Sequence, residues 1–133
     1  MAMYFGTSIN ESPTVVLAAG ERLEQARGIA LAVQDGCAVK PKAGAHVVGI
    51  SLMETEDTVE KGSDVDIQVK DIGKWVAGEE ITIGMELATD EMGRAVAAKS
   101  GDFIVGMALG NAAAAGSFFK VQVSKAGYKP ATA

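Results

Sequence analysis

Four groups of side chains in this 133-residue sequence have chemistry beyond packing: one imidazole (His46), one thiol (Cys37), a run of carboxylates, and two lysines in matching settings (Lys42 and Lys99). A single His and a single Cys cannot build a zinc site, which takes three or four such ligands from the protein. One Cys also excludes an internal disulfide, so the fold must stand on packing. The carboxylates are Glu54, Glu56, Asp57, Glu60, Asp64, Asp66 and Asp71, interrupted only by the cations Lys61 and Lys70. Calcium takes several such oxygens, but the D-x-[DN]-x-[DN]-G spacing with its terminal Glu is missing, and a solvated, self-repelling loop is the simpler reading. Gly44 and Gly49 do not make a G-x-G-x-x-G phosphate cradle. The residues therefore point to no catalytic set, no metal and no cofactor.

The settings of these residues repeat. Gly36-Cys-Ala-Val-Lys-Pro-Lys-Ala-Gly-Ala-His-Val-Val-Gly49 returns as Gly93-Arg-Ala-Val-Ala-Ala-Lys-Ser-Gly-Asp-Phe-Ile-Val-Gly106, 57 residues later. Carried on to Leu52 and Leu109, seventeen positions align and eight are identical, among them Lys42/Lys99 and three glycine pairs. Downstream, Val65-Asp-Ile-Gln-Val answers Phe119-Lys-Val-Gln-Val; upstream, Gly20-Glu21 answers Gly78-Glu79. Two tandem copies of one β unit follow, at about 15–75 and 76–129. The alignment pairs His46 with Phe103, so its place suits an aromatic packing role, and Cys37 with Arg94, so the thiol is expected to be partly exposed.

A chain this long fits a single domain with a shared core, expected over residues 15–133. Sixteen glycines, three prolines and short Val/Ile runs fit an all-β fold with many tight turns. The net charge of −5 and the absence of a Lys/Arg run exclude a direct grip on nucleic acid. No apolar run nears the roughly 20 residues that span a bilayer, and no secretion signal is visible.

Residues 1–14 precede the first copy and read as an extended N-terminal arm, with Met3, Tyr4, Phe5 and Ile9 as candidate contacts to a partner. Thr14–Ala18 reads as the first strand. Leu23, Ala26, Ile29 and Ala30 carry a helical period, but Gly28 interrupts it and the second copy reads Ile81-Thr-Ile, so strand or irregular backbone is expected. Turns at Gly36 and Gly93 lead into short Ala-Val strands. Further turns at Gly44 and Gly101 lead into the most apolar strands, His46–Met53 and Phe103–Leu109. Gly49 and Gly106 sit inside those strands, where glycine marks a bend or a close backbone approach. Adjacent strand residues point to opposite sides, so at least one of Phe118 and Phe119 faces away from the core. With Phe103 they are the candidate contacts between copies of the chain.

Two resemblances bear on this pattern. Two-fold β repeats with a lysine in a turn resemble lipoyl or biotinyl carrier domains, accessory subunits of enzymes, although Pro41-Lys-Ala and Ala98-Lys-Ser do not match the carrier hairpins. The run Ala77-Gly-Glu-Glu-Ile-Thr-Ile-Gly-Met-Glu-Leu-Ala-Thr-Asp-Glu-Met-Gly-Arg-Ala-Val, with Phe103-Ile-Val-Gly-Met-Ala-Leu, Ala112-Ala-Ala-Ala-Gly116 and Phe119-Lys-Val-Gln-Val, resembles tailed-phage capsid decoration (cement) proteins, including relatives that carry a RecA/RadA-type recombinase label. That likeness covers about residues 15–125. It implies a compact β-barrel-like domain, no enzyme activity, and a homo-oligomer, commonly a trimer. The implied partner is the major capsid protein on the exterior of the assembled head, reached by a protein made in the host cytoplasm.

Overall fold

The computed structural model describes residues 11–131, and among these there is no helix. In chain order the strands are β1 (Thr14–Ala18), β2 (Leu23–Glu24), β3 (Ala30–Gln34), β4 (Cys37–Val39), β5 (Gly49–Ser51), β6 (Thr58–Val59) and β7 (Asp64–Gln68), then β8 (Asp71–Val76), β9 (Glu86–Thr89), β10 (Ala95–Ala97), β11 (Phe103–Ala108) and β12 (Phe118–Tyr128). Two antiparallel sheets of five strands hold most of them, in the orders β1-β7-β5-β3-β4 and β8-β12-β11-β9-β10; β2 and β6 form a small third sheet. The segment with a helical period is not helical. Gln25 and Gly28 take positive φ (51° and 60°), which breaks any helix, yet Leu23, Ala26, Ile29 and Ala30 are all buried.

The two large sheets correspond strand for strand, and their registers agree at the offsets seen in the sequence. Ile50 lies opposite Gln68 in the first sheet as Met107 lies opposite Gln122 in the second; Leu31 faces Gly49 as Leu87 faces Gly106. Local bonds repeat as well. The amide of Gly20 donates to the Ala38 carbonyl as Gly78 does to Ala95, and the carboxylates of Glu21 and Glu79 accept from the amides of Lys40 and Ala97.

Two expected features differ. The sequence comparison set the boundary near 75–76, but Asp71–Val76 pairs with β12 as the edge strand of the second sheet, the position β1 holds in the first. Asp71 and its counterpart Lys125 both take positive φ (70° and 46°); beyond that kink one copy crosses to the next sheet while the other runs on along β11. The strand expected from His46 to Met53 is only Gly49–Ser51. Pro41 has no amide to give, and the amide of Gly44 donates across to Thr89 in the second sheet, so this segment satisfies its backbone outside the ladder.

The all-β, barrel-like expectation holds in the curl of each sheet, although neither sheet is a closed barrel. Each curls until its first strand meets its last at a single parallel bridge, Ala19 to Ala38 and Ala77 to Ala95, with no ladder beyond it. One hydrophobic cluster runs through both copies, from Leu31, Val65 and Ile67 to Trp75, Leu87, Val105 and Val121. Backbone bonds cross as well. The amides of Ala30, Val76 and Phe103 donate to the carbonyls of Gly93, Gly28 and Gly44. Trp75 is fully buried and its indole Nε1 donates to the Gly93 carbonyl at 2.8 Å. Replacing Trp75 by Phe removes that donor and leaves a gap beside Phe119, whose ring stacks on it at 6.4 Å. The expected loss is about 1–3 kcal/mol, measured by urea unfolding, since Ala30 still satisfies the carbonyl.

Candidate docking surface

The residues with chemical potential are scattered. His46 is exposed and stands edge-on to the ring of its repeat partner Phe103, centroids 4.6 Å apart, and Tyr128 also packs edge-on with Phe103 at 5.4 Å. Cys37 is half-buried in β4. Lys42 and Lys99 are exposed in separate turns. Among the described residues no three His, Cys, Asp or Glu side chains are placed to hold a metal.

The six repeated glycines fall into two kinds. Gly36, Gly44, Gly93 and Gly101 all take positive φ at turns. Gly49 and Gly106 do not; they are buried in their strands, and a Cβ on either would overlap the carbonyl oxygen of Gln68 or Gln122 on the neighbouring strand. These two are corresponding carbonyls, so one close backbone approach occurs twice.

Of the three phenylalanines expected at a contact between copies, Phe103 and Phe119 are buried in the chain's own core. Their strand faces point inward, which takes both out of the candidate interface. Phe118 is 43 % exposed, as alternation with Phe119 requires. Met3, Tyr4, Phe5 and Ile9 lie outside the described residues.

Phe118 forms one wall of a cleft of about 380 Å³, lined also by Arg27, Met53, Val76, Met92 and Arg94. Gly28 makes room for it, since a Cβ there would stand 3.0 Å from Phe118 Cε1 and 3.3 Å from Met53 Sδ. Both arginines are held. Arg27 Nε donates to the Thr55 carbonyl at 2.8 Å, and Arg94 Nε lies 3.2 Å from Asp90, whose other oxygen accepts from the amides of Met92 and Arg94. An aromatic ring, methionines and arginines around a partly open cleft make the composition of an interface core. Sequence reasoning reached Phe118 but missed its five companions. The only signals were methionines standing in turn segments, Leu52-Met53-Glu54 and Glu91-Met92-Gly93.

The architecture has a counterpart among solved structures. The N base of the head fiber gp8.5 of bacteriophage phi29 matches with a TM-score of 0.64 over 87 % of this chain and 97 % of that one, at 18 % identity, a likeness of fold. No curated protein matches the chain. A family model described as phage cement protein matches residues 8–123, nearly all of both large sheets. The chain therefore belongs to the phage cement protein family, a family of structural, non-enzymatic phage proteins.

Proposed function

We propose that this chain decorates the outer surface of an assembled phage head, contacts the major capsid protein there and stabilises the shell. It is made in the host cytoplasm and resides on the capsid exterior. In this reading it acts as a homo-oligomer, with a trimer favoured by the family resemblance. The observation that carries the reading is the family match across residues 8–123. The cleft around Phe118 supports contact between copies, and the N-terminal arm is assigned to the shell. The mechanism is mass action: a subunit that binds only the assembled shell lowers that state's free energy by RT ln(1 + [L]/Kd), about 2.7 kcal/mol per site at a free concentration of 100 Kd. Repeated over a lattice, modest terms of this kind add.

The test is to mix purified protein with undecorated heads, sediment them, and then heat them. Co-sedimentation and a higher temperature of DNA release are expected. Protein left wholly in the supernatant, at concentrations well above micromolar, would sink the proposal.

A further inference from the structure

The outer face of the second sheet carries two lysines that no carboxylate among the described residues pairs with. Lys74 on β8 lies directly opposite Lys120 on β12, both exposed. Like charges directly opposite on a sheet face work against the fold. Every ion pair among the described residues is made by Arg22, Arg94 or Lys129, so neither ammonium has a carboxylate within 4.0 Å; Glu54 lines the same shallow groove as Lys74, beyond that reach. Around the pair stand Ile72 (58 % exposed), Met107 (38 %) and Phe118. A cationic pair rimmed by exposed apolar side chains is the composition of a face that is covered when the protein works.

The complement stands at the corresponding positions of the first sheet. Where β12 has Phe118 and Lys120, β7 has Asp64 and Asp66; where β8 has Lys74, β1 has Val16, opposite Asp66. Asp64 and Asp66 are exposed on one face of β7 and line a hollow of about 350 Å³ with Glu54, Glu56 and Glu60. We propose that the lysine face of the second sheet docks on the Asp64–Asp66 face of the first sheet in a neighbouring copy of the chain. This rests on the reading of the protein as a homo-oligomer. The contact is heterologous: each copy presents a cationic face to one neighbour and an acidic face to the other. Such a contact leaves one face of each kind unpaired at the ends of a row, and a closed ring covers them all. Phe118, beside Lys120 on β12, then lies in the same interface.

The experiment is sedimentation velocity of the full chain, wild type and three variants, at low and at 0.5 M salt, with thermal melts alongside. Wild type is expected to be oligomeric at low salt and to shift toward monomer at high salt, because partly exposed charges are screened. The Lys74→Glu/Lys120→Glu variant should be monomeric at low salt with an unchanged melt, and so should Asp64→Lys/Asp66→Lys. Combining all four substitutions exchanges both faces and should restore the oligomer. A monomeric wild type, an oligomeric Lys74→Glu/Lys120→Glu variant, or a folded four-fold variant that stays monomeric would each overturn the proposal. The same variants are sedimented with undecorated heads. If Lys74→Glu/Lys120→Glu remains oligomeric but loses the heads, the face belongs to the shell and the inference fails. If wild type ignores heads while the four-fold exchange rescues assembly, the inference stands and the decoration reading falls.

Discussion

Gly49→Val and Gly106→Val are each expected to destabilise the protein by about 3 kcal/mol or more, among the larger effects a single substitution can have here. The reason is not conformational freedom, since neither residue takes a positive φ. A Cβ at position 49 would overlap the Gln68 carbonyl oxygen and come within 2.9 Å of its carbon and of Ile67 Cγ2; at position 106 it would overlap the Gln122 oxygen, with the next atoms at 3.1 and 3.2 Å. Those obstacles are backbone, which yields only by parting β5 from β7 or β11 from β12. Position 49 is the tighter and should cost more. Gly36→Ala is the control: φ is 78° but nothing lies within 4 Å, so only backbone strain of about 1 kcal/mol is expected. A chain of this size loses roughly 3–5 °C of melting temperature per kcal/mol, so the valine variants should melt ten or more degrees lower. Equal melting of Gly49→Val and Gly36→Ala would show that the strands separate there at little cost.

The duplication was legible because its signals are local. A turn glycine fixes its own φ, and Val65-Asp-Ile-Gln-Val alternates whatever lies above it. What the sequence hid was the use each copy makes of the same residues. Asp71–Gly73 matches Lys125–Gly127, yet one stretch opens an edge strand of the other sheet and its counterpart extends a hairpin. Residues 46–48 read as part of an apolar strand, but the segment is held instead by Gly44, whose amide and carbonyl both bond to the second copy, at Thr89 and Phe103. The all-β, barrel-like class was legible but the lack of closure was not, because closure depends on whether two sheet edges form a ladder or touch at one bridge. The cleft was out of reach altogether: Gly28, Met53, the Met92–Arg94 turn and Phe118 come from four separate segments, and only the packing of one copy on the other joins them. The faces of Lys120 and Asp66 could be read from alternation, but their opposition to Lys74 and Val16 needed the register.

Deleting residues 2–10 is expected to leave the melting of the isolated protein nearly unchanged and to lower affinity for undecorated heads by on the order of a hundredfold. The cut stops before Pro13, whose carbonyl accepts from the Val69 amide, and before Thr14, which opens β1, so the folded sheets keep their bonds. Seating Met3, Tyr4, Phe5 and Ile9 on a partner is worth roughly 1.5–3 kcal/mol each. Ordering the backbone opposes this by about 1–2 kcal/mol per residue. The two sums are of similar size, so the net from one arm is small, on the order of 1 kcal/mol, or somewhat under tenfold in affinity. In the proposed trimer three arms bind as a unit, and factors of about fivefold each multiply to on the order of a hundred. The size of the loss therefore depends on assembly. In the monomeric Lys74→Glu/Lys120→Glu background, the same deletion should weaken head binding by no more than about tenfold. Heads that bind the truncated oligomer as tightly as the full chain would assign the shell contact to the folded sheets instead of the arm.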